Sequence, residues 1–65
     1  MVAHYIRSVS TGDYLVSFDG ITPKMSTSIG DAARFTMADA NKMVRSIRSV
    51  GFTVYIEDVE EGGES

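Results

Sequence analysis

The sequence has no cysteine, no tryptophan, one proline and one histidine in 65 residues. Without cysteine there is no disulfide to staple the fold, no thiolate metal ligand and no cysteine nucleophile. Small exported domains usually rely on disulfides, so the composition points to a reducing, cytoplasmic compartment. The start, Met1-Val2-Ala3-His4-Tyr5, lacks the basic opening and apolar run of a secretory leader. A chain opening on Met1 reads as a short gene product rather than an excised fragment. No stretch approaches the ~18 consecutive apolar residues of a membrane span, so no membrane partner is expected.

Chemical motifs are also missing. There is no G-x-S-x-G nucleophile elbow, no phosphate loop, no dinucleotide fingerprint and no zinc-ligand pair. His4 has no partner dictated by spacing; Asp13 or Asp19 are the carboxylates that a general base there would need. Asp13 and Asp19 flank a five-residue strand, which separates them by roughly 15–20 Å. They read as turn residues rather than a calcium or acid–base pair. A chain this short buries only about 60% of the surface its unfolded form exposes, and a core of that size is expected to leave little room for a substrate cleft. We therefore expect no enzyme, no catalytic residue, no cofactor and no metal.

What is present is an asymmetric charge pattern. The net charge is −3, but Glu57, Asp58, Glu60, Glu61 and Glu64 all lie in the last nine residues. Residues 1–56 carry Asp13, Asp19, Asp31 and Asp39 against Arg7, Lys24, Arg34, Lys42, Arg45 and Arg48, a net +2. A mildly basic body thus precedes an acidic end. The expected organisation is one domain over residues 1–59 and a disordered acidic tail over 60–65, which has no apolar anchor.

Period-2 patterning predicts strands at Val2–Val9, Tyr14–Phe18 and Phe52–Val59. The first two are joined by the turn Ser10-Thr11-Gly12-Asp13 and should form an antiparallel hairpin. In the second strand, Tyr14, Val16 and Phe18 are expected on one side, with Leu15 and Ser17 on the other. Lys24–Ser28 is a weaker third strand, and Ser28-Ile29-Gly30-Asp31 a second turn. Asp31–Phe35 is either one helical turn or an extended piece that carries Phe35 into the core.

The helix is the strongest signal. Thr36 is a good N-cap and Asp39 lies three residues on. Met37, Ala40, Met43, Val44, Ile47 and Val50 recur at helical spacing, and Gly51 suits the left-handed position that ends a helix. The predicted span, Met37–Val50, is about 21 Å long. The fold class is therefore α+β. An antiparallel sheet of three to four strands carries one amphipathic helix on one face, in the order β-β-(β)-α-β.

Such a sheet leaves its second face to water or to a partner. Tyr5, Val9, Leu15 and Tyr55 are candidates for that face. Lys42, Arg45 and Arg48 fall at i, i+3 and i+6 on the exposed side of the helix, with Arg34 nearby in sequence. They form a modest basic patch, unless Lys42 simply pairs with Asp39. The candidate partner-binding residues are thus Arg34, Lys42, Arg45, Arg48, Tyr5 and Tyr55. The leading expectation is a non-enzymatic module for a protein partner; the alternative is a nucleic-acid-binding protein using the basic helix face. Small chains without staples often gain stability by associating, so monomer and homodimer both stay open.

The run Ala33-Arg34-Phe35-Thr36-Met37-Ala38-Asp39-Ala40, followed by the helix, Gly51, Phe52 and a terminal strand, resembles a pattern of short phage and prophage accessory proteins of unknown function. The pattern is A-x-F-x-x-x-x-A … G-[FY]-x-V, and Tyr14-Leu15 after a Gly-Asp turn suits the same group. The resemblance implies a protein that binds and redirects a host factor in the host cytoplasm; inhibitors of bacterial defence systems, anti-CRISPR proteins among them, are of this kind. The second half also resembles one half of a sporulation-related repeat domain, which binds peptidoglycan glycans with two such halves; only one is present here.

Overall fold

The computed structural model describes residues 2–60. Four strands and one helix follow in the order β1 (Val2–Ser8), β2 (Tyr14–Phe18), β3 (Pro23–Ser26), α1 (Met37–Ser49) and β4 (Val54–Glu60). A single 3₁₀ turn, Ile29–Asp31, lies between β3 and α1. The strands form one antiparallel sheet in the order β3-β2-β1-β4. The α+β class and the β-β-β-α-β order are those the sequence predicts, with the third strand formed. β4 runs through Glu60, so Glu60 belongs to the sheet rather than to a tail; the rest of the expected tail lies outside the described residues.

α1 is terminated at both ends by local chemistry. The Thr36 hydroxyl accepts the Asp39 N–H at 3.1 Å, satisfying one of the donors left open by the first helical turn. At the other end Gly51 adopts φ +102°. Its N–H donates to Arg48 O at 3.0 Å, and the Phe52 N–H donates to Ile47 O at 3.4 Å. This paired closure is the Schellman arrangement. It holds Phe52 outside the last strand, which begins at Val54 rather than Phe52.

The core lies between α1 and one face of the sheet. Ile6, Leu15, Ile47 and Val54 form its buried cluster, with Phe18, Met25, Phe35, Met43 and Val44 packed around them. Ala40 completes the buried face of the helix, whereas Met37 and Val50, at the two ends of the predicted stripe, are exposed.

Two sequence expectations fail at β2. Leu15 belongs to the core and not to the second face. Phe18 joins it there, although strict alternation places the two residues on opposite sides. The cause is a register shift between Leu15 and Ser17: Leu15 pairs with Met25, but Ser17 pairs with Lys24 and Phe18 with Pro23. The extra residue, Val16, resets the alternation as a β-bulge does.

β1 and β2 share one paired position, Arg7↔Tyr14. β1 then pairs along its whole length with β4, from Val2↔Glu60 to Ser8↔Val54. The split between β1 and β2 is bridged by the segment before the helix. Ala33 N–H donates to Leu15 O at 3.0 Å, and Phe35 N–H donates to His4 O at 2.9 Å. Asp31–Phe35 therefore resolves as a 3₁₀ end followed by an extended piece. It satisfies strand carbonyls that the split leaves open, as buried backbone requires.

Candidate binding surface

The sheet face away from α1 is closed by its own side chains. Tyr55, Arg7 and Tyr14 lie side by side across β4, β1 and β2. The Arg7 guanidinium stacks 4.6 Å from the centre of the Tyr14 ring. Its Nε–H and Nη2–H both donate to Gly12 O, at 3.0 and 2.8 Å, and its Nη1–H donates to Glu57 Oε1 at 3.0 Å. Tyr5 meets Tyr14 edge to face, with ring centres 5.9 Å apart.

The sequence offers Tyr5 and Tyr55 as exposed aromatics of this face. Both are on it, but only Tyr55 is accessible, at 39%; Tyr5 is 1% exposed. Arg34 is on this face too. Its Nε–H donates to the Tyr5 hydroxyl at 3.2 Å. The alternation of the bridging segment explains this: Phe35 turns to the core and Arg34 to the opposite side. Arg34 is thus separated from Lys42, Arg45 and Arg48 by the thickness of the sheet. Val9 lies beyond the end of β1 and is exposed in the following loop.

On α1, the Lys42 and Arg45 side chains make no ion pair or hydrogen bond among the described residues; Lys42 does not pair with Asp39. Arg48 folds back, its Nη2–H donating to Val54 O at 3.3 Å. The predicted basic patch therefore reduces to Lys42 and Arg45 as open cations.

His4 finds a partner that sequence spacing does not name. Its Nδ1 lies 2.6 Å from Asp58 Oδ1, because the β1–β4 register sets the two residues directly opposite. Nε2 makes no further contact among the described residues. Among those residues, no group of three or more metal-ligating side chains assembles. No helix there is long and apolar enough to cross a membrane.

A cleft of about 440 Å³ is built from three connections. Ser8, Ser10, Thr11 and Asp13 come from the end of β1 and the β1–β2 loop, Thr22, Pro23 and Met25 from the start of β3, and Gly51–Val54 from the helix–strand junction. The small core contributes only Val54 and Met25 to the lining, and the connecting segments supply the rest. Backbone bonds fix its walls: Val9 N–H donates to Thr53 O at 3.1 Å, and Ser8 N–H to Asp13 O at 2.8 Å. Phe52, held outside β4 by the helix cap, is 43% exposed on its rim.

Among the described residues, Asp13 is the one acidic or basic side chain in this lining. Its carboxylate has no hydrogen bond or ion pair among the described residues, while its N–H donates to Thr11 Oγ1. The sequence alone reads Asp13 as a turn residue and Phe52 as a strand residue, and neither as part of a site. The Gly51-Phe52 step is the available signal, since a large apolar residue directly after a helix-ending glycine has no strand partner to cover it.

No protein-family profile, curated protein or solved structure matches this chain.

Proposed function

We propose that this protein is a small non-enzymatic module that binds a protein partner through the cleft between the β1–β2 loop, β3 and the α1–β4 junction. One observation carries the reading. Of the eight large apolar side chains left exposed among the described residues, Phe52 lines the cleft, and Val9, Ile21 and Val50 are sequence neighbours of residues that line it. A large apolar side chain left exposed on the wall of a concave site is a contact that a partner can cover, whereas one isolated on an open surface needs no explanation. The opposite sheet face is a weaker candidate, since Arg7, Tyr5, Tyr14 and Glu57 already satisfy one another there. The resemblance to phage and prophage accessory proteins favours a host protein, a defence factor among them, as the partner.

The test compares variants of the immobilised protein in host lysate. Phe52→Asp should abolish retention of the specific partner, while Lys42→Glu combined with Arg45→Glu should leave it. Phe52 is half-exposed, so circular dichroism should show the first variant folded. A retained protein indifferent to Phe52→Asp would overturn the reading.

A second reading rests on Lys42 and Arg45, which are unpaired among the described residues. In this reading the two side chains touch nucleic-acid phosphates from one helix face. Binding of that kind weakens steeply with salt and would be lost in the double charge reversal instead.

A further inference from the structure

The chemistry of the cleft specifies the occupant more narrowly. We propose that it receives an arginine side chain from an exposed segment of the partner, with the guanidinium on Asp13 and the aliphatic stem along Phe52 and Pro23. This rests on the reading of the cleft as the binding surface.

The argument is one of charge and shape. Among the described residues, a carboxylate with no hydrogen bond or ion pair is the sole acidic or basic side chain in a lining that is otherwise hydroxyl and apolar. Arg7 and Arg48 do not line the cleft. Arg7 is held by the Gly12 carbonyl and Glu57, and Arg48 by the Val54 carbonyl. A wholly apolar occupant would bury the Asp13 carboxylate without compensation, which is costly. An acidic occupant would meet it in repulsion. A cationic side chain with a long apolar stem suits both halves of the site.

Arginine fits better than lysine on three grounds. Its planar fork can grip a carboxylate with two parallel hydrogen bonds. Its remaining N–H groups can reach hydroxyl acceptors, and Thr22 and Thr53 line the same cleft. The guanidinium plane also stacks on an aromatic ring, and Phe52 supplies one at the rim. A volume of about 440 Å³ is within the ~300–1,000 Å³ range of ligand sites, so the flanking residues of an extended segment can enter with the side chain.

The probe is acetyl-Gly-Arg-Gly-amide, titrated into the isotopically labelled full chain and followed by amide chemical shifts. Its control is the same peptide with citrulline, the neutral isostere of arginine. The arginine peptide should shift the amides of Thr11, Asp13, Thr22, Phe52 and Thr53 saturably. Citrulline, or Asp13→Asn in the protein, should weaken binding about tenfold or more, the loss of a charge-assisted hydrogen bond. Asp13→Asn leaves the backbone bonds of the loop in place, and its dispersed amide spectrum confirms the fold.

Equal binding of the citrulline peptide would assign the cleft to an apolar segment and overturn the proposal. So would shifts that map elsewhere, or none at all. Dimerisation of the free protein that Asp13→Asn abolishes would place a second copy of this chain in the cleft, overturning it as well. These failures are separable from failure of the binding reading. A partner lost with Phe52→Asp but kept with Asp13→Asn leaves the cleft as the binding surface and removes only the arginine.

Discussion

Arg7 Nη1 donates to Glu57 Oε1 at 3.0 Å, joining β1 to β4 diagonally across the face that the helix leaves open. The same guanidinium grips Gly12 O with two further N–H groups and stacks on Tyr14. One side chain thereby ties β1 to β4, to β2 and to the loop that forms a wall of the cleft. A lysine cannot reproduce this, because its point charge lacks both the fork and the stacking plane. Arg7→Lys should lower the melting temperature more than Glu57→Gln, which removes only one of the contacts. Thermal unfolding by circular dichroism measures both; equal effects would mean that the loop and ring contacts contribute nothing.

The hydrophobic ridge of α1 is legible in the sequence because its 3.6-residue period survives into the packed structure. Ile47 is fully buried within it. A domain of this length has roughly 3–10 kcal/mol of stability, and truncating a buried Ile to Ala alone costs about 2–5 kcal/mol. An unpaired buried carboxylate costs more again. Ile47→Asp should therefore unfold the domain, while Arg45→Asp on the exposed side should leave its far-ultraviolet spectrum unchanged. A folded Ile47→Asp variant would show that the core assignment is wrong.

Other features are not legible, for reasons particular to each. The helix caps are readable because Thr36 and Gly51 act on their own neighbours. The bulge at Val16 is not, since neither glycine nor proline marks it and it exists only against the register of β3. That single residue is why Phe18 and Leu15 share a side. The exposure of Tyr5 is misread from sequence because its cover, Tyr14 and Arg34, comes from two other segments. The cleft is invisible for a similar reason: its three walls are separate in sequence and meet only when the chain is folded.

Asp19 gives the protein a predictable acid limb. Its Oδ1 accepts the backbone N–H groups of Thr22 and Ile21, both at 2.8 Å, in the β2–β3 turn. Those two bonds favour the carboxylate and hold Asp19 below the usual carboxylate range. A folded value below the unfolded one means that the unfolded chain binds the proton more readily. The contribution is therefore complete above the ordinary value of about 3.9, and it is lost as pH falls through the lower folded value. Asn at this position keeps an acceptor oxygen but gains no proton. Across melting curves recorded from neutral pH downward, the wild type should lose more stability than Asp19→Asn as the solution becomes acid. Parallel curves would assign the acid sensitivity to other carboxylates.

The bridging segment makes the most specific demand on the backbone. Ala33 N–H donates to the carbonyl of Leu15, a residue with no exposed surface, where β1 and β2 have already parted. Proline at position 33 would remove that donor. The preceding residue, Ala32, already has the extended φ −73° and ψ 143° that a following proline requires. The cost includes that of a buried carbonyl left without its partner, about 1–3 kcal/mol. Ala33→Pro should lower stability by at least that amount in urea titration with an unchanged slope. It should also speed amide exchange at Phe35, whose N–H is bound to His4 O in the same split. Truncating the neighbouring side chain leaves both backbone bonds intact, so Arg34→Ala should keep the Phe35 amide protected. If Ala33→Pro is neutral and Phe35 stays protected, the two strands do not depend on this segment to close the gap between them.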